Sequence, residues 1–283
     1  MIFRHVPAKG VYQTVALAFL DILGFKHLLQ KRCSESPEFL INLISNADFF
    51  TQARFDTLLE RRIISDSVII WTEDLNQGLL AIANIASLLQ ATLLKQGCLI
   101  RGAIVIDKHF SHPFVHLNTT TKTTTNSSDE IIVSPALAKA AELEKRIGTP
   151  EIIFDENPAL ILQLNQAKIN FPNFRVHTGT NSKGQTSVQG WFTSHELMGF
   201  SKQLSALQIK GTTAGAMSDA CKTQALVELN AIRKEVLNNL ITEDSGIKTK
   251  WQFIADKFNA FLTQCPQTPE LPKTIPISQL DRN

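Results

Sequence analysis

Two aspartates sit where carboxylates are costly. Asp21 is the only charge in AFLDILGF, residues 18–25, and Asp66 interrupts the apolar IISDSVII, residues 63–70. An ionised carboxylate buried without a partner costs several kcal/mol. Each acid is therefore either released to water, as an ordinary turn or capping aspartate, or neutralised inside the fold. A pair of such acids could share a divalent cation. Hard ions such as Mg²⁺ or Mn²⁺ are held by one or two carboxylates together with substrate phosphates. Two metals so held make the clamp used for in-line displacement at phosphorus. The backbone amides of the turn at Leu23, Gly24 and Phe25 would then lie where a triphosphate sits.

Two arginines sit in or beside the strand-like runs. Arg101 is the internal charge of the strand-like CLIRGAIVID, residues 98–107, and Arg62 precedes Asp66 by four residues. A structural ion pair or a snorkelling edge residue is the plain reading of Arg101. For Arg62, beside Arg61, the plain reading is a favourable charge at a helix C-terminus.

The elements that must carry these residues can be read from periodicity. TVALAFLDI, residues 14–22, has the character of a buried strand, and Gly24 permits a tight turn after it. Residues 34–61 form a long helical stretch that Ser36 can cap, with Pro37 at its first position. IISDSVIIW, residues 63–71, reads as a strand pair or hairpin around the polar SDS. A mostly buried helix follows over 75–95, ended by Gly97, and then the strand at 98–107.

HLNTTTKTTTNSSDE, residues 116–130, has no core-forming side chains and reads as an exposed loop. SPALAKAAELEKRI, residues 134–147, is a strong helix with Ser134 as cap and Pro135 at its first position. Short strands are expected at 151–154 and near 187–193. Beyond residue 195 the chain turns helical and ends in a proline-spaced tail. Strand and helix thus alternate over the first 155 residues or so, which predicts a mixed α/β (α+β) sheet layered with helices. A helical C-terminal extension, 195–283, would pack on the same domain as 1–194.

Composition narrows the partners. The chain has 283 residues, 43% of them hydrophobic and 19% charged, an ordinary globular balance. A net charge of +2 gives no electrostatic footprint for nucleic acid or anionic membrane. The N-terminus lacks an apolar leader core, and the best apolar stretch, 78–94, is broken by Asn84, Ser87, Gln90 and Thr92. Four scattered cysteines with no CxxC pair suit a reducing cytoplasm. The H-x2-H-x3-H run at His109, His112 and His116 is interrupted by Pro113 and lacks the further ligand a zinc site needs. GTTAGAM, 211–217, lacks the Gly-Lys-Ser/Thr ending of a phosphate loop. Trp71, Trp191 and Trp251 read as core or interface anchors.

These motifs, in this order, resemble class III nucleotide cyclases. AFLDILGFKHLL is similar to their first metal motif, and RIISDSVIIW to their second, where the acid usually follows Gly rather than Ser65. LIRGAIVID resembles the next strand, and IIVSPALAKAAELEK the helix that closes the catalytic core. The wording of DILGF, SDS, IRGAI and the late KWQFIADKFNAF is closest to the pyrimidine nucleotide cyclases of bacterial Pycsar anti-phage systems. The resemblance covers about residues 14–155 well and 248–262 weakly.

It implies a homodimer that converts UTP to 3′,5′-cyclic UMP and pyrophosphate, with CTP as the alternative substrate. The product would act on a separate effector. Two Mn²⁺ or Mg²⁺ ions per site would be held by Asp21, Asp66 and the Ile22 carbonyl. Leu23, Gly24 and Phe25 would meet the triphosphate, and Arg101, with Arg62, the base. Where purine cyclases carry Asn and Arg on the core helix, this chain has about Ala138 and Glu142, leaving Lys145 or Arg146 as substitutes. That departure speaks against an ordinary adenylate cyclase and leaves room for a nucleotide-binding regulator of the same fold.

Overall fold

Strand β1 (Gln13–Leu23) lies between β3 (Ser67–Thr72) and β4 (Leu99–Leu117), antiparallel to both. Both of its faces are covered, which is why its sequence is a nearly continuous apolar run rather than an alternation. The computed structural model describes residues 12–25, 59–117, 124–170, 178–192, 219–264 and 274–275. Among these, the sheet runs β2 (Glu60–Ile64), β3, β1, β4, β6 (Ile152–Phe154), β8 (Thr186–Val188), β7 (Thr178–Thr180). Strand β5 (Thr124–Val133) pairs with the far half of β4. The β4–β6 pairing is parallel and its neighbours are antiparallel, so the sheet is mixed, as expected.

Helices cover both faces. Ala16, Ala18, Leu20 and Ile22 share a buried cluster with α1 (Gln77–Lys95), whereas Val15 and Leu17 pack with Ala136 and Ala140 of α2 (Pro135–Lys145). Alternate residues of a strand point to opposite faces, so Asp21 belongs to the α2 face. Helix α1 is long and apolar enough to cross a membrane, yet it is mostly buried against the sheet. Asp74 starts it by accepting the N–H groups of Asn76 and Gln77. Ser134 caps α2 through the N–H of Leu137, with Pro135 at the first position, as the sequence predicts.

The C-terminal helices α4 (Asp219–Leu240) and α5 (Ser245–Gln264) join Leu94, Leu99 and Trp191 in one apolar cluster; α3 (Pro158–Asn170) precedes them in the chain. Leu229, Ile232 and Phe258 are fully buried there, each stabilising by roughly 2 kcal/mol. An ion pair of 3.0 Å between Lys95 and Glu228 ties the end of α1 to α4. The boundary at 194/195 lies outside the described residues, as does GTTAGAM.

Several expectations need correction. Glu60 and Arg61 belong to strand β2, not to a helix reaching residue 61; the remainder of that predicted helix, up to residue 58, lies outside the described residues. The strand at 98–107 continues to Leu117, and 124–130, read as loop, belongs to β5, so the described residues of the Thr-rich stretch lie on two paired strands. Threonine, being β-branched, is at home in a strand. Helix α3 was not anticipated, although Asn157-Pro158 is a plausible start for one. The three tryptophans are buried, as read.

Candidate active site

The hairpin β2–β3 turns over two residues, Ser65 and Asp66, because Ile64 pairs with Ser67. A two-residue hairpin turn needs positive φ at its first position, and Ser65 supplies it at φ 57°. Glycine would enter that conformation without strain. The turn is fastened to β1: the Ile22 N–H donates to the Asp66 carbonyl at 2.9 Å. In antiparallel pairing the N–H and C=O of one residue point the same way, so the Ile22 carbonyl also faces this turn. Asp21 pairs with Ser67 on one side and with Arg101 on the other. Gly24, at φ 79°, then ends the strand.

Asp21 is half-buried and its environment opposes ionisation. Burial is the main cause that raises its pKa from 3.8 to about 6; the carboxylates of Glu144 and Asp66 add to it. Arg101 and, more weakly, Lys250 on α5 pull the other way. The repulsion from Asp66 puts the two acids within electrostatic reach of one another. Two hard-oxygen carboxylates, with a backbone carbonyl beside them, fit a divalent cation completed by phosphate and water oxygens. No group of three or more His, Cys, Asp or Glu side chains stands together among the described residues, so a site supplied wholly by such side chains is not what is built.

Arg101 is engaged on several sides. Its Nε and Nη2 bond the buried carboxylate of Glu144, Nη1 donates to the Ile147 carbonyl at 3.0 Å, and Nη2 lies 3.8 Å from Asp21. The guanidinium therefore ties β4 and the end of α2 to the acid on β1. Its neighbour Gly102 cannot carry a side chain without movement, since a Cβ there would lie 2.3 Å from the Phe19 carbonyl oxygen.

Arg62 lies on β2 opposite Ile69, which in turn pairs with Phe19 of β1. That places it on the same sheet face as Asp21, though one row further along, exposed at the edge rather than at a helix end. Ala138 and Glu142 are exposed on α2, with Glu142 paired to Arg146, and Lys145 is exposed as well. His109 is buried and its Nδ1 meets the Ser134 hydroxyl at 2.8 Å; the side chains of His112 and His116 are outside the described residues.

Two charged groups that act on Asp21 were missed in the sequence. Glu144 looks like one more charge on an amphipathic helix, and only its place on the inward face, four residues after Ala140, could have flagged it. Lys250 lies more than two hundred residues from Asp21, and nothing local announces it. A separate cleft of about 490 Å³ opens between α2, β6 and the β7–β8 turn, lined in part by the Lys139–Asp155 ion pair of 2.6 Å, Arg146 and Lys183.

No protein-family model matches the sequence, and no curated protein aligns with it significantly. Among solved structures, the adenylyl cyclase CyaB from P. aeruginosa is similar with a TM-score of 0.43 and 15% identity, over 64% of this chain and 96% of its own. A guanylyl cyclase gives 0.42 and 12%, over 66% and 96%. A class III adenylyl cyclase-like ATP-binding protein from Pseudomonas aeruginosa gives 0.43 and 12%, over 67% and 41%. At this identity and score the similarity assigns no activity to the chain.

Proposed function

We propose that this chain is a nucleotide cyclase acting on a pyrimidine nucleoside triphosphate, UTP before CTP. The observation that supports it most is the fastening of the Asp66 turn to Ile22, the neighbour of Asp21. In the reaction the ribose 3′-oxygen bonds to the α-phosphorus, the bond to the bridging oxygen of the β-phosphate breaks, and pyrophosphate leaves. The proton of the 3′-hydroxyl goes to solvent. Divalent ions, Mn²⁺ or Mg²⁺ and two per site, would supply Lewis-acid activation of that hydroxyl and neutralise the leaving charge. Asp21, Asp66 and the Ile22 carbonyl would hold them. The amides of Leu23, Gly24 and Phe25 would orient the triphosphate, and positioning of this kind carries much of such catalysis. Arg101 and Arg62 are the candidates for contact with the base; to reach it, Arg101 would have to share its donors with Glu144.

A homodimer in the cytoplasm, releasing a cyclic nucleotide that acts on a separate effector in anti-phage defence, completes the reading. The deciding experiment incubates the folded protein with each of the four NTPs and Mn²⁺. Cyclic UMP or cyclic CMP is the expected product, and a cyclic purine nucleotide would correct the substrate class. Absence of any cyclic product overturns the enzyme. The second reading, a nucleotide-binding regulator, draws support from the exposed Ala138 and Glu142 at the places where Asn and Arg are expected in purine cyclases. Nucleotide binding without turnover would favour it.

A further inference from the structure

Arg101 spends most of its donors inside the fold. Its backbone is clasped on both sides: Arg101 pairs with Asp21 of β1, and the N–H of the next residue, Gly102, donates to the Glu151 carbonyl at 3.0 Å beside β6. A guanidinium carries five N–H groups. One on Nε and one on Nη2 bond the Glu144 carboxylate, and one on Nη1 reaches the Ile147 carbonyl at 3.0 Å. One N–H therefore remains on each terminal nitrogen, and Oδ2 of Asp21 stands 3.8 Å from Nη2. Glu144 is only 4% exposed, and Ile147, just past the end of α2, donates its N–H to the Glu144 carbonyl at 3.0 Å. The guanidinium is thus held in one orientation from β4 and from the end of α2.

A residue that reads a base needs donors free to face a ligand, whereas one that aims another side chain needs fixed contacts. Arg101 answers the second description. The polar partners of metal-binding carboxylates set the angle at which these meet an ion, and losing one costs about 10–100-fold in metal affinity. By charge alone Arg101 opposes a cation at Asp21, so any help it gives to the ion comes from geometry. Desolvating a buried pair such as Arg101–Glu144 can outweigh its attraction, which makes orientation a better reason for it than stability. We propose that Arg101 and Glu144 form a positioning pair for the Asp21 carboxylate, and that Arg101 does not read the base. This rests on the nucleotide reading above and, of the two arginines offered to the base there, withdraws Arg101.

The test uses the full chain and alters geometry while conserving charge. Mn²⁺ uptake, alone and with UTP, is titrated through the electron paramagnetic resonance of the free ion for the wild type, Arg101→Lys and Glu144→Asp. Lysine cannot form the fork, and aspartate falls one methylene short. Each variant should therefore weaken Mn²⁺ binding by about tenfold. The double variant should bind no more weakly than the poorer single one, and additive losses would separate the two residues and overturn the pairing. The ratio of kcat/KM for UTP to that for CTP should keep its wild-type value throughout. Unchanged Mn²⁺ affinity, with or without a lower urea midpoint, would make the pair merely structural and overturn the proposal. A shifted UTP-to-CTP ratio in Arg101→Lys would return Arg101 to the base and overturn it likewise. Should Glu144→Asp fail to fold, Arg101→Lys carries the comparison alone. Weakened Mn²⁺ binding without cyclisation of any NTP would leave the pair in its role and defeat the cyclase; cyclisation with unshifted Mn²⁺ binding would defeat the pair alone. A wild type that takes up no Mn²⁺ in either condition defeats both.

Discussion

The amide of Ile22 and the carbonyl of Asp66 meet at 2.9 Å, so the strand that carries one acid is bonded to the turn that carries the other. The two acid-bearing segments are thereby joined through main-chain geometry, which is harder to lose by substitution. The acids can be exchanged one at a time without disturbing the frame beneath them.

Asp21→Asn and Asp66→Asn should each lower cyclase turnover by at least about a hundredfold, because a neutral amide is a poor ligand for a hard cation. Both variants should keep the wild-type fold by circular dichroism. Full activity in either variant would remove that acid from the site.

Asp21 also predicts a pH dependence. Its pKa is about 6 in the folded chain against 3.8 ordinarily. Below both values the group is neutral in either state and costs nothing. As pH rises from about 4 to about 6 the unfolded chain ionises first, so Asp21's contribution to stability falls by at most roughly 3 kcal/mol. Urea midpoints without divalent ions should therefore show the wild type losing ground to Asp21→Asn across that window and holding level above it. A difference that is flat with pH would show that the carboxyl is not perturbed.

Much of this was readable in advance, and the reasons are physical. Strand β1 and the β2–β3 hairpin announce themselves through β-branched runs broken by one polar turn, and α2 through a serine cap before proline. The pair Asp21 and Asp66 stood out because carboxylates in apolar runs are costly. What stayed hidden depends on long-range packing. The β4–β5 hairpin is threonine-rich and has no hydrophobic alternation, so composition alone suggested a loop. Glu144 meets Arg101 only because α2 packs on β4.

Ser65 offers a gain in stability. A non-glycine residue at φ 57° carries backbone strain, and Ser65→Gly should raise the denaturation midpoint by the equivalent of about 0.5–1 kcal/mol after glycine's greater entropy loss. Ser65→Val should lower it by more, since a β-branched side chain suits that conformation poorly. Differential scanning calorimetry of the three proteins decides.

Glu144 is buried against Arg101, and breaking such a pair leaves a charge uncompensated. Glu144→Gln should destabilise the fold by about 3 kcal/mol. It should also bring the Asp21 pKa down, since one of the two neighbouring negative charges that raise it disappears. Chemical denaturation and an NMR titration of the Asp21 carboxyl carbon read the two effects separately. An unchanged titration midpoint would contradict the geometry.

Strand order has a consequence for how the protein fails. Asp21 is mounted on β1, flanked on both sides, whereas Asp66 hangs from a hairpin whose outer strand, β2, ends the sheet among the described residues. Outermost strands open first and most often. Gentle heating should then detach one of the two acids while the middle of the sheet is still closed, so that any activity is lost before melting, and amides of β2 should exchange with deuterium well before those of β1.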